Sequence, residues 1–268
     1  MEPLKQAARV LAVGFGVRLR ARAQWRFSLF LEMGSTAVWM VVYLLFWDLI
    51  FVRSGGFGGW TFPSVMVFVA FQELFFGISR GLFLGALTYW WIIHTGRLDV
   101  HLARPMDPRL TAICLSVDPP QLIRSCLMFS LVLGIAVSMG FPLSLFRLLI
   151  AVLLAFLSAV GKALLALSIN YIAFWWGNVD ALHELIGTFD HFLSVPMTVL
   201  PNALQIFFTI GIPLFFAVTF PALFAGDRLS LASMGRPLLL LVACLGGWAF
   251  VQELLWRRGL RRYESYRG

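Results

Sequence analysis

Charge is scarce in this chain. Asp, Glu, Lys and Arg make up 13% of its 268 residues, about half the share of an ordinary soluble domain. Apolar residues reach 60%, and the mean hydropathy is +0.86. So few charges cannot cover a water-soluble globule, so the expected solvent is a bilayer. Cysteine is scarce as well. The three copies are odd in number and show no C-x-x-C spacing, which excludes a disulfide framework and a zinc site as readings. Catalytic signatures are also missing. His183, Glu184, Leu185, Ile186 and Gly187 begin like the zinc-protease pattern HExxH, but Gly187 stands where the second imidazole belongs. His191 would lie roughly 80° around a helix from His183, so the two do not converge. Gly161 and Lys162 resemble the end of a phosphate-binding loop, yet Phe156 replaces its first glycine and Ala163 its Ser/Thr. Enzyme chemistry has little to stand on, and neither a metal nor a cofactor is expected on this chain.

What the sequence holds instead is apolar runs of membrane length. A helical crossing takes about 20 residues, and six are expected, over 28–52, 62–87, 122–139, 145–176, 203–223 and 237–256. The glycine-rich turn over 54–59 (SGGFGG) ends the first, and Gly140, Phe141 and Pro142 join the third to the fourth. Pro213 bends or breaks the fifth and Pro221 ends it, since each removes a backbone donor. In lipid such a break survives only where protein or water satisfies the freed carbonyls. Over 1–27, Leu4, Ala8, Leu11, Phe15 and Leu19 share one stripe while Lys5, Arg9 and Arg18 point elsewhere, the pattern of a helix lying on a membrane surface. No short apolar core with a small-residue cleavage site accompanies these charges, so the first span is expected to persist in the mature protein. Residues 177–201 read as a second surface-parallel amphipathic helix, with Leu182, Leu185, Ile186, Phe189 and Phe192 on its apolar side. The expected fold class is an all-α integral membrane protein, a single domain over 1–268. It has six transmembrane helices, an N-terminal amphipathic interfacial helix and short cytoplasmic helices.

A net charge of +8 would suggest nucleic acid in a soluble protein. Here the basic residues gather at span boundaries, where lipid headgroups and insertion topology account for them, so membrane lipids are expected as partners and nucleic acid is not. Fifteen of the 21 Lys and Arg fall in the N-terminal segment, in 94–124 or in the tail after Trp256. Positively charged loops stay in the cytoplasm, which places both termini and 94–124 on that side. Trp47, Trp60, Trp90, Trp91, Trp175, Trp176 and Trp256 lie near span ends, as interfacial anchors do.

An ionisable group inside a span costs at least about 2.5 kcal/mol on insertion scales, and it pairs with another group or lines a wet cavity. Glu73 and Arg80 share one face of the second span. They are either the lining of a pathway or a structural network between helices. Glu32, Asp48 and Lys162 read as groups near span ends that snorkel or assist packing. In the cytoplasmic tract, Leu98 and Leu102 form an apolar edge while Arg97, Asp99, His101, Arg104 and Asp107 supply charge. That pattern suits a short helix resting on the membrane and presenting polar groups to a partner, or an ordinary solvated loop.

Four stretches then carry a resemblance: 20–26 (RARAQWR), 93–105 (IHTGRLDVHLARP), 201–206 (PNALQI) with Pro213 and Pro221 beyond it, and 259–268 (GLRRYESYRG). Together they resemble the six-span ABC-2 type permease family, the membrane subunits of bacterial ATP-driven exporters. The resemblance implies a permease in the bacterial cytoplasmic membrane that works with two separate ABC ATPase subunits, which carry the ATP and Mg. It implies a second permease chain, a different homologue, and alternating access for an amphipathic or hydrophobic substrate. The docking element would be Gly96, Arg97, Leu98, Asp99, Leu102, Arg104 and Pro105, with Leu182, Leu185 and Phe189 second. Pro213 and Pro221 would mark a bent or re-entrant element. The rival expectation is an integral membrane enzyme or an accessory scaffold.

Overall fold

A computed structural model of the chain describes residues 2–24, 26–104, 106–211, 214–226, 229 and 234–263, and these are helical with no strand among them. Among the described residues, five helical stretches are long and apolar enough to cross a membrane: Phe27–Arg53, Phe62–Leu82, Pro119–Ser138, Leu145–Trp176 and Gly235–Arg262. In chain order the helices are α1 (Glu2–Ala23), α2 (Arg26–Ser54), α3 (Phe62–Leu82), α4 (Leu84–Leu87), α5 (Tyr89–His94), α6 (Leu98–Leu102), α7 (Pro108–Leu115) and α8 (Pro119–Ser138). They continue with α9 (Leu145–Asn170), α10 (Ala173–Trp176), α11 (Asp180–His191), α12 (Asn202–Ile206), α13 (Thr219–Ala225) and α14 (Gly235–Arg262).

Proline sets several helix starts. Pro63 lies in the first turn of α3, Pro108 opens α7, and Pro119 and Pro120 open α8, where the missing N–H is no loss. The third span therefore begins earlier than expected, at Pro119 rather than 122. The second ends at Leu82, and the rest of the expected 62–87 span is the separate turn α4. α3 is the most enclosed helix of the bundle, with Val65, Val67, Phe68, Ala70, Phe71 and Phe75 wholly buried. It meets α8 closely because glycine faces the contact. A Cβ on Gly77 would lie 2.2 Å from Ser125 Cβ, and one on Gly81 would lie 2.9 Å from Leu122 Cβ. Small residues at four-residue spacing permit this approach.

The helices define two ends of the bundle. α9 starts beside Phe141 and Leu143 and finishes at Tyr171 and Phe174. α14 finishes at the same place: Trp256 lies 5.2 Å from the Tyr171 ring and 5.8 Å from that of Phe174, and Gly259 abuts Phe174. Its approach is from the opposite end, where Arg147 of α9 donates to the Leu229 carbonyl at 3.1 Å. α9 and α14 thus run in the same direction, and the chain between them must travel back along the bundle.

Residues 180–199 make that journey, which corrects the expectation of a surface-parallel helix over 177–201. Leu182 packs on the aromatic cluster at the Phe174 end. Asp190 bonds Lys162 midway, the Ser194 carbonyl accepts from Tyr43 Oη, and Thr198 Oγ1 accepts from Trp60 Nε1 at 2.9 Å. Val199 reaches Gly58 in the turn between α2 and α3, at the far end. The physical reason is that Asp190 of α11 is answered inside the protein by Lys162, so that part of the helix need not lie in an interface.

The expected fifth span, 203–223, is not one helix. α12 passes into a π-helical turn over Phe207–Gly211, and Phe208 is driven against Phe192 at 4.9 Å before the chain turns back. Phe215 N–H donates to the Phe208 carbonyl, and α13 then climbs to Gly226, which abuts Phe141. Pro221 sits in the first turn of α13 instead of ending a span. Pro213 lies outside the described residues. The dip is held by Thr219 Oγ1, which accepts from Met197 N–H at 3.1 Å.

α1 covers Glu2–Ala23 of the expected 1–27 and packs on α7, where a Cβ on Gly14 would lie 2.8 Å from the Cys114 carbonyl. The tryptophans divide. Trp91 and Trp176 are exposed, as anchors would be, whereas Trp47, Trp60 and Trp256 are buried core residues.

Candidate functional site

A cavity of about 990 Å³ opens among α2, α3, α8 and α11. Its lining is polar although the elements around it are apolar. α2 contributes Ser35, Thr36 and Trp39; α3 contributes Gln72, Glu73, Phe76 and Arg80; α8 contributes Gln121 and Arg124; and α11 contributes Glu184, Gly187, Thr188, Asp190 and His191. The Glu73 and Arg80 singled out from sequence thus do line one space together, and Glu73 makes a helix-to-helix bond as well. Its carboxylate accepts from Ser125 Oγ at 3.3 Å.

The neighbours supply the other charges. Arg124 Nη1 lies 3.5 Å from Glu32 Oε2, and its other terminal nitrogen donates to Gln121 Oε1. Lys162 of α9 is 5% exposed and donates to both carboxylate oxygens of Asp190, at 2.6 and 2.7 Å. The ammonium also lies 5.5 Å from the rings of Phe75 and Phe76. This corrects the reading of Lys162 as a snorkelling group near a span end: it is an interior cation with a dedicated anion. Sequence reasoning missed this pair, although one signal was available. A lysine 17 positions into an apolar helix must be answered by an acid, and the nearest acids downstream lie on 180–190.

A second region lies at the Phe174 end. Leu98 of α6 is wholly buried among Tyr89, Tyr171, Phe174 and Trp256. Gly96 adopts φ +69°, which a side chain would resist, and its carbonyl accepts from Tyr263 Oη at 3.4 Å. Burial, with the Asp99 carboxylate nearby, pushes the Tyr263 hydroxyl up to about 12. Asp99 is half-buried, while Arg97, Val100, Leu102 and Arg104 face outward. Pro105 lies outside the described residues. His101 keeps its imidazole pKa below the ordinary value through burial and the charge of Arg104.

Arg109 ties this region to α14. Its guanidinium bonds Asp107 at 2.6 Å and Glu253 at 2.5 Å, and lies 5.3 Å from the Trp256 ring. Asp107 also caps α7 by accepting from the Arg109 N–H. Burial alone would raise the Asp107 carboxyl, but Arg109 and two backbone donors hold it below its ordinary value. Asn170 adds a further tie, donating to the carbonyls of Ala86 and Leu87 at 2.8 and 3.0 Å.

The second expected docking stretch is arranged differently. Leu182 packs inward, and Phe189 is half-buried against Phe207 and Phe208, at 6.2 and 6.0 Å. The Leu185 side chain lies outside the described residues.

The geometry is therefore an open cavity lined by charged and polar side chains in an apolar helical bundle, with an outward-facing polar end. In the comparison with known families, residues 37–266 match the profile of the ABC-2 family transporter protein. The chain belongs to the ABC-2 transporter family. Its members are membrane components of transporters, and they normally work with an ABC ATPase. Comparisons with curated proteins and with solved structures returned no match.

Proposed function

We propose that this ABC-2 family protein is the permease subunit of an ATP-driven exporter and that the cavity between α3 and α11 is part of its substrate pathway. The observation that carries this reading is the cavity itself. Glu73, Arg80, Arg124 and Asp190 converge on one water-accessible space in a bundle whose outer surface is apolar. Charges at bilayer depth are costly, and they persist where they pair or where a pathway keeps them wet.

In this reading the chain crosses the bacterial cytoplasmic membrane six times. The fifth crossing is residues 180–199, 202–225 form a re-entrant dip at the outer face, and both termini are cytoplasmic, in keeping with the basic tail and the 94–124 segment. Two ABC ATPase subunits, holding ATP and Mg, dock on the cytoplasmic end of a pair of permeases, of which a different homologue is the second. The docking face is 96–105, because Leu98 anchors α6 while Arg97, Leu102 and Arg104 are left outward. The inward-turned packing of Leu182 and Phe189 argues against a second docking element there.

ATPase closure would bind one arrangement of the docking face more tightly than another, and that difference drives alternating access. Arg109 connects α7 to α14, Tyr263 connects the end of α14 to Gly96 before α6, and Asn170 of α9 holds α4, so displacement of the face is passed to long helices instead of being lost in a loop.

Gly187 gives the test. It lines the cavity, and a Cβ there would meet nothing within 4 Å. Gly187→Trp should fill the cavity without disturbing the fold. Reconstituted with its ATPase in vesicles, the variant should bind the ATPase normally and lose export. Undiminished export would refute the pathway, and catalytic turnover by the permease without an ATPase would favour an enzyme.

A further inference from the structure

We infer that the cavity selects a zwitterionic amphiphile, with the anionic group of its headgroup on Arg80 and a cationic group on Glu184. This deepens the transport reading and rests on it. Some charges reaching the cavity already have ionic partners. Lys162 and Asp190 bind each other through both carboxylate oxygens, and Arg124 faces Glu32 and holds Gln121, while Glu73 accepts from the neutral Ser125 hydroxyl and feels the charges of Arg124 and Arg80. Arg80 is different. It is exposed to the cavity, makes no ion pair among the described residues, and rests its guanidinium 5.3 Å from the Phe76 ring. Glu184 is the corresponding anion, exposed on α11 with no ion pair among the described residues.

Arg80 and Glu184, each without an ion pair among the described residues, thus line the same space from separate helices. A purely anionic ligand would satisfy Arg80 and be repelled by Glu184, and a purely cationic one would meet the reverse. A headgroup carrying both charges satisfies the two together through charge-assisted hydrogen bonds. A volume of about 990 Å³ is ample for such a headgroup. Trp39, from the same cavity wall, is 67% exposed and continues into the outward apolar face of α2 with Val38, Val42 and Leu45. A hydrocarbon chain can lie along that face while the headgroup stays in the cavity.

Native mass spectrometry of the intact permease in a neutral maltoside detergent would test this. Three probes of equal chain length are titrated: a lysophosphatidylethanolamine, an alkyl phosphate and an alkylammonium. The zwitterion should bind tightest. Arg80→Gln and Glu184→Gln should each weaken it about tenfold, the loss of one charge-assisted contact. Arg80→Gln should weaken the alkyl phosphate alone, and Glu184→Gln the alkylammonium alone. Arg80→Lys keeps the charge and should retain most of the zwitterion affinity, which guards against misfolding as the cause. Equal affinity for all three probes, preference for the alkyl phosphate, absence of saturable binding, or indifference to Glu184→Gln would each overturn the assignment. Failure here while Gly187→Trp still blocks export removes only the substrate class. Selective binding while Gly187→Trp exports normally removes the transport role and leaves a zwitterion site.

Discussion

The cavity and the Phe174 end of the bundle use arginine in opposite ways. At the Phe174 end, Arg109 is consumed by structure: two carboxylates and an indole ring surround it, and half-burial excludes most water. In the cavity, Arg80 leans on one ring and otherwise faces open space. The first arrangement ties α7 to α14, and the second leaves a charge facing open space. Lys162 belongs chemically with Arg109 although it stands behind the cavity wall, since its anion is supplied by the protein itself.

This contrast can be broken most severely at Lys162. Lys162→Met leaves Asp190 uncompensated in the interior and should destabilise the protein by about 3–5 kcal/mol. Thermal unfolding in detergent would measure it, and Lys162→Met combined with Asp190→Leu should recover much of the loss. A single variant as stable as the parent would show that the pair is not buried as described.

Next in size is Gly85→Val. Its Cβ would lie 2.6 Å from the Ala112 carbonyl, a backbone atom that cannot rotate away, so about 1–3 kcal/mol of overpacking is expected. Gly134→Val, where nothing lies within 4 Å, should cost less, and equal losses would remove the close-packing argument.

The Arg109 joint should show a pH signature. The Asp107 carboxyl is held below its ordinary value of 3.8, so its stabilising contribution is complete above that value and is lost as pH falls through the depressed pKa. Asp107→Asn should reduce acid sensitivity in this window while lowering stability at neutral pH by about 1–2 kcal/mol. An unchanged acid profile would show that Asp107 is not held by Arg109.

The smallest effect on the fold belongs to Arg104. It is exposed, so Arg104→Glu should shift stability by no more than about 0.5 kcal/mol. Transport-coupled ATP hydrolysis should nonetheless fall, and intact coupling would remove α6 as the docking element.

The long apolar helices were legible because each is a hydropathic run with a turn signal at its end, such as SGGFGG before α3. Glu73 and Arg80 were legible because charge stands out against such a background. Residues 177–225 were not. α11 carries Asp180, Glu184 and Asp190, and a window that averages hydropathy reads it as interfacial, whereas Lys162 satisfies Asp190 within the bundle and Glu184 faces the cavity. The opposite error applied to 203–223: its phenylalanines suggest a span, but Phe207 and Phe208 are used to pin a turn against Phe189 and Phe192. Tertiary partners decided both cases, and they lie 28 residues away for Asp190 and 22 for Thr219. Over 96–104 the outward Arg97 and Arg104 were legible as charges in the sequence, but not that Asp99 would be half-buried, that Leu98 would be a buried anchor or that Tyr263 would reach back to Gly96.

The glycines at 77 and 81 restrict how α3 can move. With backbones this close, sliding α3 along α8 by one helical turn would drive side chains into the neighbouring helix. These two helices are therefore meshed like a pawl and its tooth, whereas α11 is fastened to α9 by a lysine–aspartate clasp.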